Sequence, residues 1–179
     1  SLEGVAIMEY VVGAIWSGLD LWGCFLFNGA FLPKRNLNKR YALKAVAIWI
    51  FCCAYTNTPI NQYAKSVLSV SVYTVLSTIL LQGTFPVHVC LAIIYNIFNA
   101  SIDTIAIHGM CYLLGISYNT LVWRKLSYIT LITADKLLMI FLTWMLYHFR
   151  KKGNLGKQRG KWVQLSILFP AVSAAMLAI

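Results

Sequence analysis

Acidic residues are the scarcest feature of this 179-residue chain, which has five Asp and Glu against fifteen Lys and Arg. Charged residues of both signs make up 11% of the sequence, whereas soluble domains have about 25%. Hydrophobic residues make up 60%, and the mean hydropathy is +0.71. So few charges cannot cover this much apolar surface with a soluble shell. The composition therefore predicts a polytopic membrane protein.

Catalytic and metal-binding motifs are also missing from the sequence. It contains no HExxH, no GxSxG and no glycine-rich phosphate loop. The five cysteines lie in or at the ends of apolar runs without metal-ligand spacing, so we expect buried small hydrophobic side chains. No catalytic residue, metal site or cofactor is predicted for this chain.

Positive charge is concentrated in two short segments, residues 34–44 and 150–161, which hold eleven of the fifteen Lys and Arg. Each segment is flanked by long apolar runs, a pattern typical of membrane orientation and not of nucleic-acid binding. Because cationic loops resist translocation, loops 33–40 and 150–161 should be cytoplasmic. The N-terminus should then lie outside. The first four residues, SLEG, lack an initiator Met and are interpreted as an expression scar.

The apolar runs predict an all-α bundle of six transmembrane helices in residues 5–179. The predicted spans are 5–32, 41–56, 63–81, 86–114, 120–149 and 162–179. Six crossings place both ends of the chain on the outer face, since loops one, three and five alternate with loops two and four. We expect a multi-pass membrane protein in contact with membrane lipid.

Four charged residues fall inside these spans: Asp20, Asp103, Asp135 and Lys136. Charges at this depth are costly and need a partner or a function. Neighbours on a helix point about 100° apart, so Asp135 and Lys136 should satisfy each other poorly. Counting from the loop between the fourth and fifth spans puts Asp103 and Lys136 within roughly 6 Å in depth. We predict an Asp103–Lys136 pair, with Asp20 or Asp135 as competitors.

Three roles remain open for these groups: a structural ion pair, a ligand contact or switch, and snorkelling of Lys136 without a partner. Asn96 and Asn99 extend the stripe of Asp103 along the fourth span. A second polar stripe in the third span consists of Ser66, Ser69, Tyr73 and Ser77. Such stripes should face protein or a wet cavity, either as ordinary interhelical hydrogen bonds or as a pocket between spans three, four and five.

Several passages of the chain resemble the transmembrane sensor region of bacterial GHKL-type sensor histidine kinases, relatives of the accessory-gene-regulator quorum-sensing receptors. The likeness covers about residues 20–179. The passages are FLFNGAFLPKRNLNKRYAL, STILLQGTF, SIDTIAIHGMCYLLGISYNTL, ADKLLMIFLTWMLYHFRKK and LFPAVSA. An acid often stands at the position of Asp103 in that family.

The resemblance implies a sensor in a bacterial cytoplasmic membrane that binds an extracellular or membrane-borne ligand, such as a peptide or small amphipathic molecule. It would pass a helix rearrangement to a cytoplasmic kinase, and the parent protein would be a homodimer through that kinase. A seventh span would then follow Ile179, since the kinase must lie inside. The candidate ligand-binding or switch residues are Asp103, Lys136, Asn96, Asn99, Asp20 and Asp135. The alternative is a six-helix substrate-binding membrane subunit of a small-molecule transporter.

Overall fold

The helices of the protein follow the apolar runs of its sequence. The computed structural model describes residues 2–36, 39–56, 58, 61–123 and 125–152. The helices are α1 Leu2–Phe31, α2 Lys39–Thr56, α3 Gln62–Leu80, α4 Phe85–Leu114, α5 Tyr118–Trp123 and α6 Lys125–Lys152. Within those ranges the one β-type pairing is an isolated bridge between Lys34 and Leu81. The predicted all-α class is confirmed for the described part of the chain.

Local sequence explains where several helices begin and end. The Asn61 side chain accepts a hydrogen bond of 3.0 Å from the backbone N–H of Tyr63, which caps the start of α3. Pro86 lies in the first turn of α4, where its missing N–H costs nothing. Gly115 ends α4 with φ 61°, and its N–H bonds the Tyr112 carbonyl oxygen at 3.2 Å. A residue with a Cβ would be strained in this left-handed conformation.

Four helices in the described part of the chain are long and apolar enough to cross a membrane. These stretches are Tyr10–Phe31, Tyr63–Leu80, Phe85–Leu114 and Ser127–Arg150. The 18-residue α2 is not among them, because Lys39, Arg40 and Lys44 lower the hydropathy of its first half. Four such helices indicate a membrane-embedded protein, whereas the count of six spans is not confirmed. The predicted span 162–179 lies outside the described residues.

The predicted fifth span, 120–149, corresponds to α5 and α6, which lie on either side of Arg124, a residue outside the described set. The outside of the bundle is covered by large apolar side chains. Trp22 is 63% exposed, Leu43 73% and Leu113 79%. Water would solvate such a surface poorly, whereas lipid tails solvate it well, which supports the membrane assignment.

Helix α1 lies at the centre of the packing, since it contacts α2, α3, α4 and α6. The Tyr95 ring of α4 fills the interior against Phe27, at 5.7 Å between ring centroids, and against Tyr73 of α3, at 5.2 Å. Gly23 makes this approach possible, because a Cβ there would lie 2.5 Å from the Tyr95 hydroxyl oxygen. The hydroxyl instead donates to the Asp20 carbonyl oxygen at 2.9 Å. Tyr95 thus holds the backbone of α1 at Asp20.

The two basic segments begin at the same end of the bundle. The loop after α1 pairs with the loop after α3 through Arg35 N–H to Leu80 O at 3.1 Å and Gln82 N–H to Pro33 O at 2.9 Å. The end of α6 joins them, because the Arg150 guanidinium lies 4.1 Å from the centroid of a ring in α1. This arrangement agrees with the predicted alternation of loops. The face of the membrane on which this basic end lies stays a prediction.

Candidate functional site

A buried lysine joins three helices of the bundle. Lys136 of α6 is 6% exposed, and its Nζ donates to both carboxylate oxygens of Asp103 of α4, at 3.0 and 3.1 Å. The same Nζ donates to Asn99 Oδ1 at 3.2 Å and lies 3.1 Å from Asp20 Oδ1 of α1. The predicted Asp103–Lys136 pair is therefore present. Asp20 joins it as a second carboxylate and does not replace Asp103.

The helical period explains how α4 supplies two ligands. Asn99 and Asp103 are four residues apart, about one turn, so both side chains lie on the face of α4 that meets α6. Asn99 is 8% exposed. Asn96, which the sequence placed in the same stripe, is half-buried and makes none of the hydrogen bonds to Lys136. Of the three residues in this stripe, Asn99 and Asp103 bind the Lys136 ammonium, whereas Asn96 lies beside them.

Helix α1 contributes to the cluster mainly through charge. The Asp20 Oδ1 atom accepts no hydrogen bond of suitable geometry from the described residues, although it lies at ion-pair distance from Lys136. The side chain of Asp20 is 20% exposed and that of Asp103 29% exposed, whereas that of Lys136 is 7% exposed. The ammonium is thus the most enclosed of the three groups. Its removal would leave two carboxylates facing each other without a counter-charge.

A third carboxyl group completes the cluster. Asp135 is 3% exposed, and neither of its oxygens has a hydrogen-bond donor among the described residues. Its side chain faces that of Asp103. As expected from their positions on the helix, Asp135 and Lys136 do not form a hydrogen-bonded pair. Three acids and one base therefore share one region of the bundle, and the four groups are the predicted candidates Asp20, Asp103, Asp135 and Lys136.

Polar contacts between α1 and α6 fix the two helices next to the cluster. Trp16 Nε1 of α1 donates to Thr133 Oγ1 of α6 at 3.0 Å. The Trp16 ring also meets the Tyr128 ring edge to face, at 6.5 Å between centroids. Trp16 and Thr133 lie about one turn from Asp20 and from Lys136 along their helices, and Tyr128 lies about two turns from Lys136. They keep α1 and α6 in register where the charged groups meet.

The sequence did not reveal a second buried polar pair. Ser77 of α3 and His88 of α4 are 2% and 0% exposed, and Ser77 Oγ lies 2.7 Å from His88 Nδ1. Ser69 of the same stripe bonds the Tyr55 hydroxyl at 2.9 Å, while Ser66 is exposed. The stripe of α3 thus serves largely as interhelical hydrogen bonding. In the sequence, what distinguished His88 was its position in the first turn of α4, three residues after Phe85.

An open apolar groove of about 460 Å³ lies between α1 and α2, at the end of the bundle opposite the basic loops. The side chains that line it are Tyr10, Val11, Ala14, Cys53, Ala54 and Thr58. It is a different place from the predicted pocket between spans three, four and five. Among the described residues no three His, Cys, Asp or Glu side chains come together in a way that could hold a metal ion.

Comparisons with known proteins give no relative: no family model, no curated protein and no solved structure matches the chain. The resemblance to sensor kinases consequently stays a prediction. The candidate function has to be argued from the cluster around Lys136 and from the membrane character of the helices.

Proposed function

We propose that this chain is the transmembrane signal-sensing domain of a two-component histidine kinase in a bacterial cytoplasmic membrane. Its ligand is an extracellular or membrane-borne molecule, a peptide or another small amphipathic compound. Its output is a rearrangement of helices that passes to a cytoplasmic kinase in the same protein. The parent protein acts as a homodimer through that kinase.

The observation that supports this proposal best is that one ammonium group, on α6, contacts carboxylates on two other helices. Lys136 of α6 contacts Asp20 of α1 and Asp103 of α4 at the same time, at 3.1 and 3.0 Å. A shift of α6 by one turn along its axis is about 5.4 Å, which would lengthen contacts of about 3 Å well beyond hydrogen-bonding distance. The cluster is therefore suited to two discrete arrangements and not to a continuous series.

Helix α6 also has the geometry of an output element. It runs from the cluster at Lys136 to Lys152 at the basic end, sixteen residues or about 24 Å of helix. A change at the cluster would shift α6 as a rigid helix and would therefore move its Lys152 end. Because the basic end is predicted to be cytoplasmic, the movement would reach the side on which a kinase must lie.

The ligand would act by binding one arrangement more tightly than the other, since equal affinity shifts nothing. A change from 1:99 to 99:1 needs about 5.5 kcal/mol of differential binding. Breaking a buried ion pair costs about 3–5 kcal/mol, so the cluster and a ligand operate on the same energy scale. The groove between α1 and α2 is open at the predicted outer end and borders α1, which carries Asp20.

The first test is the reading frame beyond the codon for Ile179. The proposal requires a further span, a phosphoacceptor histidine helix and an ATP-binding domain. A stop codon at that point would reject the kinase and favour the transporter subunit, which would instead co-purify with an energising ATPase.

The second test measures autophosphorylation of the full-length parent protein in membranes without added ligand. Asp103→Ala and Lys136→Met should change the basal phosphorylation rate at least severalfold, because each releases α6 from α4. Ser71→Ala is the matched control, since the Ser71 hydroxyl donates to the Val67 carbonyl oxygen of its own helix, 2.9 Å away. Unchanged phosphorylation in folded Asp103→Ala protein would reject the switch role of the cluster.

A further inference from the structure

The cluster around Lys136 carries more acid than base. Asp20, Asp103 and Asp135 contribute three carboxyl groups, and Lys136 contributes one ammonium. With all four groups ionised, the net charge of the cluster is −2 in the interior of a membrane bundle. An uncompensated charge at this depth costs several kcal/mol, so a further cation is required.

Asp135 is the group at which that cation is missing. It is 3% exposed, and no donor reaches either of its oxygens within the described ranges. The charged groups that face it are Asp20 from α1, Asp103 from α4 and Lys136 from its own helix. Helix α5, with the sequence YNTLVW, carries no charged residue. Lys136 itself is already engaged by Asp103 and Asp20.

A proton fits this place better than a metal ion. A hydrated or coordinated metal needs several oxygen ligands around one point, and the described residues offer no such group. A proton needs no cavity. It also changes Asp135 from an acceptor into a donor, which is the only way in which two facing carboxyl groups can form a hydrogen bond.

We propose that Asp135 is a proton-binding site, occupied at neutral pH, whose proton is shared with the Asp103 carboxylate. Uptake forms one O–H bond at Asp135 with a proton from water, and no other covalent bond changes. The net charge of the cluster changes from −2 to −1. Asp103 then accepts from Lys136 and from Asp135 together, as expected for coupled carboxyl groups.

This site ties proton occupancy to helix position. If α6 moves away from α4, Asp135 loses its acceptor and Lys136 loses its carboxylate in the same step, since the two residues are neighbours in sequence. The inference concerns the cluster of the proposed sensor. Its test reads the carboxyl group itself without ligand or kinase, so the two proposals fail separately.

Infrared spectroscopy of the chain in lipid nanodiscs tests the proposal, because the sequence holds only three aspartates and two glutamates. At neutral pH the wild type should show the C=O stretching band of a neutral carboxyl group, and labelling with ¹³C-aspartate should shift this band. Asp135→Asn should abolish it. Glu9→Gln, the matched control, should retain it, because it removes a carboxyl group eleven residues, about 16 Å, along α1 from Asp20.

A second variant keeps the test decisive if Asp135→Asn fails to fold. In Asp135→Glu protein grown on ¹³C-aspartate, the neutral carboxyl band should remain but no longer carry the label. Absence of a label-sensitive band in the wild type at neutral pH would overturn the proposal. So would a labelled band that persists in either Asp135 variant, or a band that appears only when sodium is omitted, which would assign the site to Na⁺.

Discussion

Replacing Lys136 by methionine is the sharpest perturbation that the fold offers. Methionine keeps the length and the apolar stem of lysine but removes the ammonium. Asp20 and Asp103 then face each other, and Asn99 Oδ1 loses its donor. The change therefore affects α1, α4 and α6 together, while the shape of the interior is nearly preserved.

The expected loss of stability follows from burial. Removing one partner of a fully buried ion pair costs about 3–5 kcal/mol. The side chains of Asp20 and Asp103 remain 20% and 29% exposed, so neither carboxylate is fully buried. We expect Lys136→Met to lower the free energy of unfolding by about 2–3 kcal/mol, at or just below the lower end of that range. Adding Asp20→Asn and Asp103→Asn should recover more than half of the loss, since the unpaired charges are then gone.

The assay is reversible unfolding in mixed micelles, with helix content followed by circular dichroism. Lys65→Met is the matched control. Lys65 Nζ donates to the Thr56 carbonyl oxygen at 3.0 Å, a partly buried contact without a carboxylate, and its loss should cost about 1 kcal/mol or less. A Lys136→Met protein as stable as the Lys65→Met protein would show that the ammonium does not hold the three helices together.

Three further predictions concern packing, hydrogen bonding and orientation. Gly23→Ala should destabilise the protein by about 1–3 kcal/mol, because the new methyl group would lie 2.5 Å from the Tyr95 hydroxyl oxygen, and Tyr95→Phe should relieve part of this loss. Ser77→Ala should cost about 1–3 kcal/mol in the same unfolding assay, because the buried His88 Nδ1 loses its partner. In intact cells a membrane-impermeant amine reagent should leave Lys34 unmodified until the cells are permeabilised, if the basic end is cytoplasmic.

Each of these predictions has an internal control in the chain. Gly109→Ala adds a methyl group with nothing within 4 Å and should be neutral or slightly stabilising. Ser71→Ala removes a hydroxyl that donates to a carbonyl oxygen of its own helix and should change stability by less than about 0.5 kcal/mol. Lys65, near the opposite end of the bundle, should react in intact cells. Equal effects in a variant and its control, or reaction of Lys34 before Lys65, would contradict the respective prediction.

The sequence was most informative where the physical signal is local. Spans three and four were predicted as 63–81 and 86–114, and the corresponding helices are Gln62–Leu80 and Phe85–Leu114. The Asp103–Lys136 pair was also predictable, because a short connection makes two helices antiparallel and depth can be counted from it. Helix α2 begins earlier than the predicted span 41–56, since Lys39 and Arg40, which were assigned to the loop before it, form its start.

Contacts between distant parts of the chain were not predictable in the same way. Asp20 and Lys136 are 116 residues apart in sequence, and their meeting depends on α1 packing against α6. The place of Tyr95 depends on the missing Cβ of Gly23, which no hydropathy pattern reports. The isolation of Asp135 likewise follows from the angle between two neighbouring positions on α6 once α1 and α4 have packed around them.

Solid-state NMR of the protein in lipid bilayers measures the shared ammonium most directly. With ¹⁵N on the lysine side chains and ¹³C on the aspartate carboxyl groups, only three carbons are labelled, because the chain has three aspartates. One lysine signal should be strongly dephased by two of these carbons, and the dephasing should weaken in Asp20→Asn and again in Asp103→Asn. A spectrum in which no lysine nitrogen is dephased, or in which neither variant changes the dephasing, would contradict the joining of α1, α4 and α6 through Lys136.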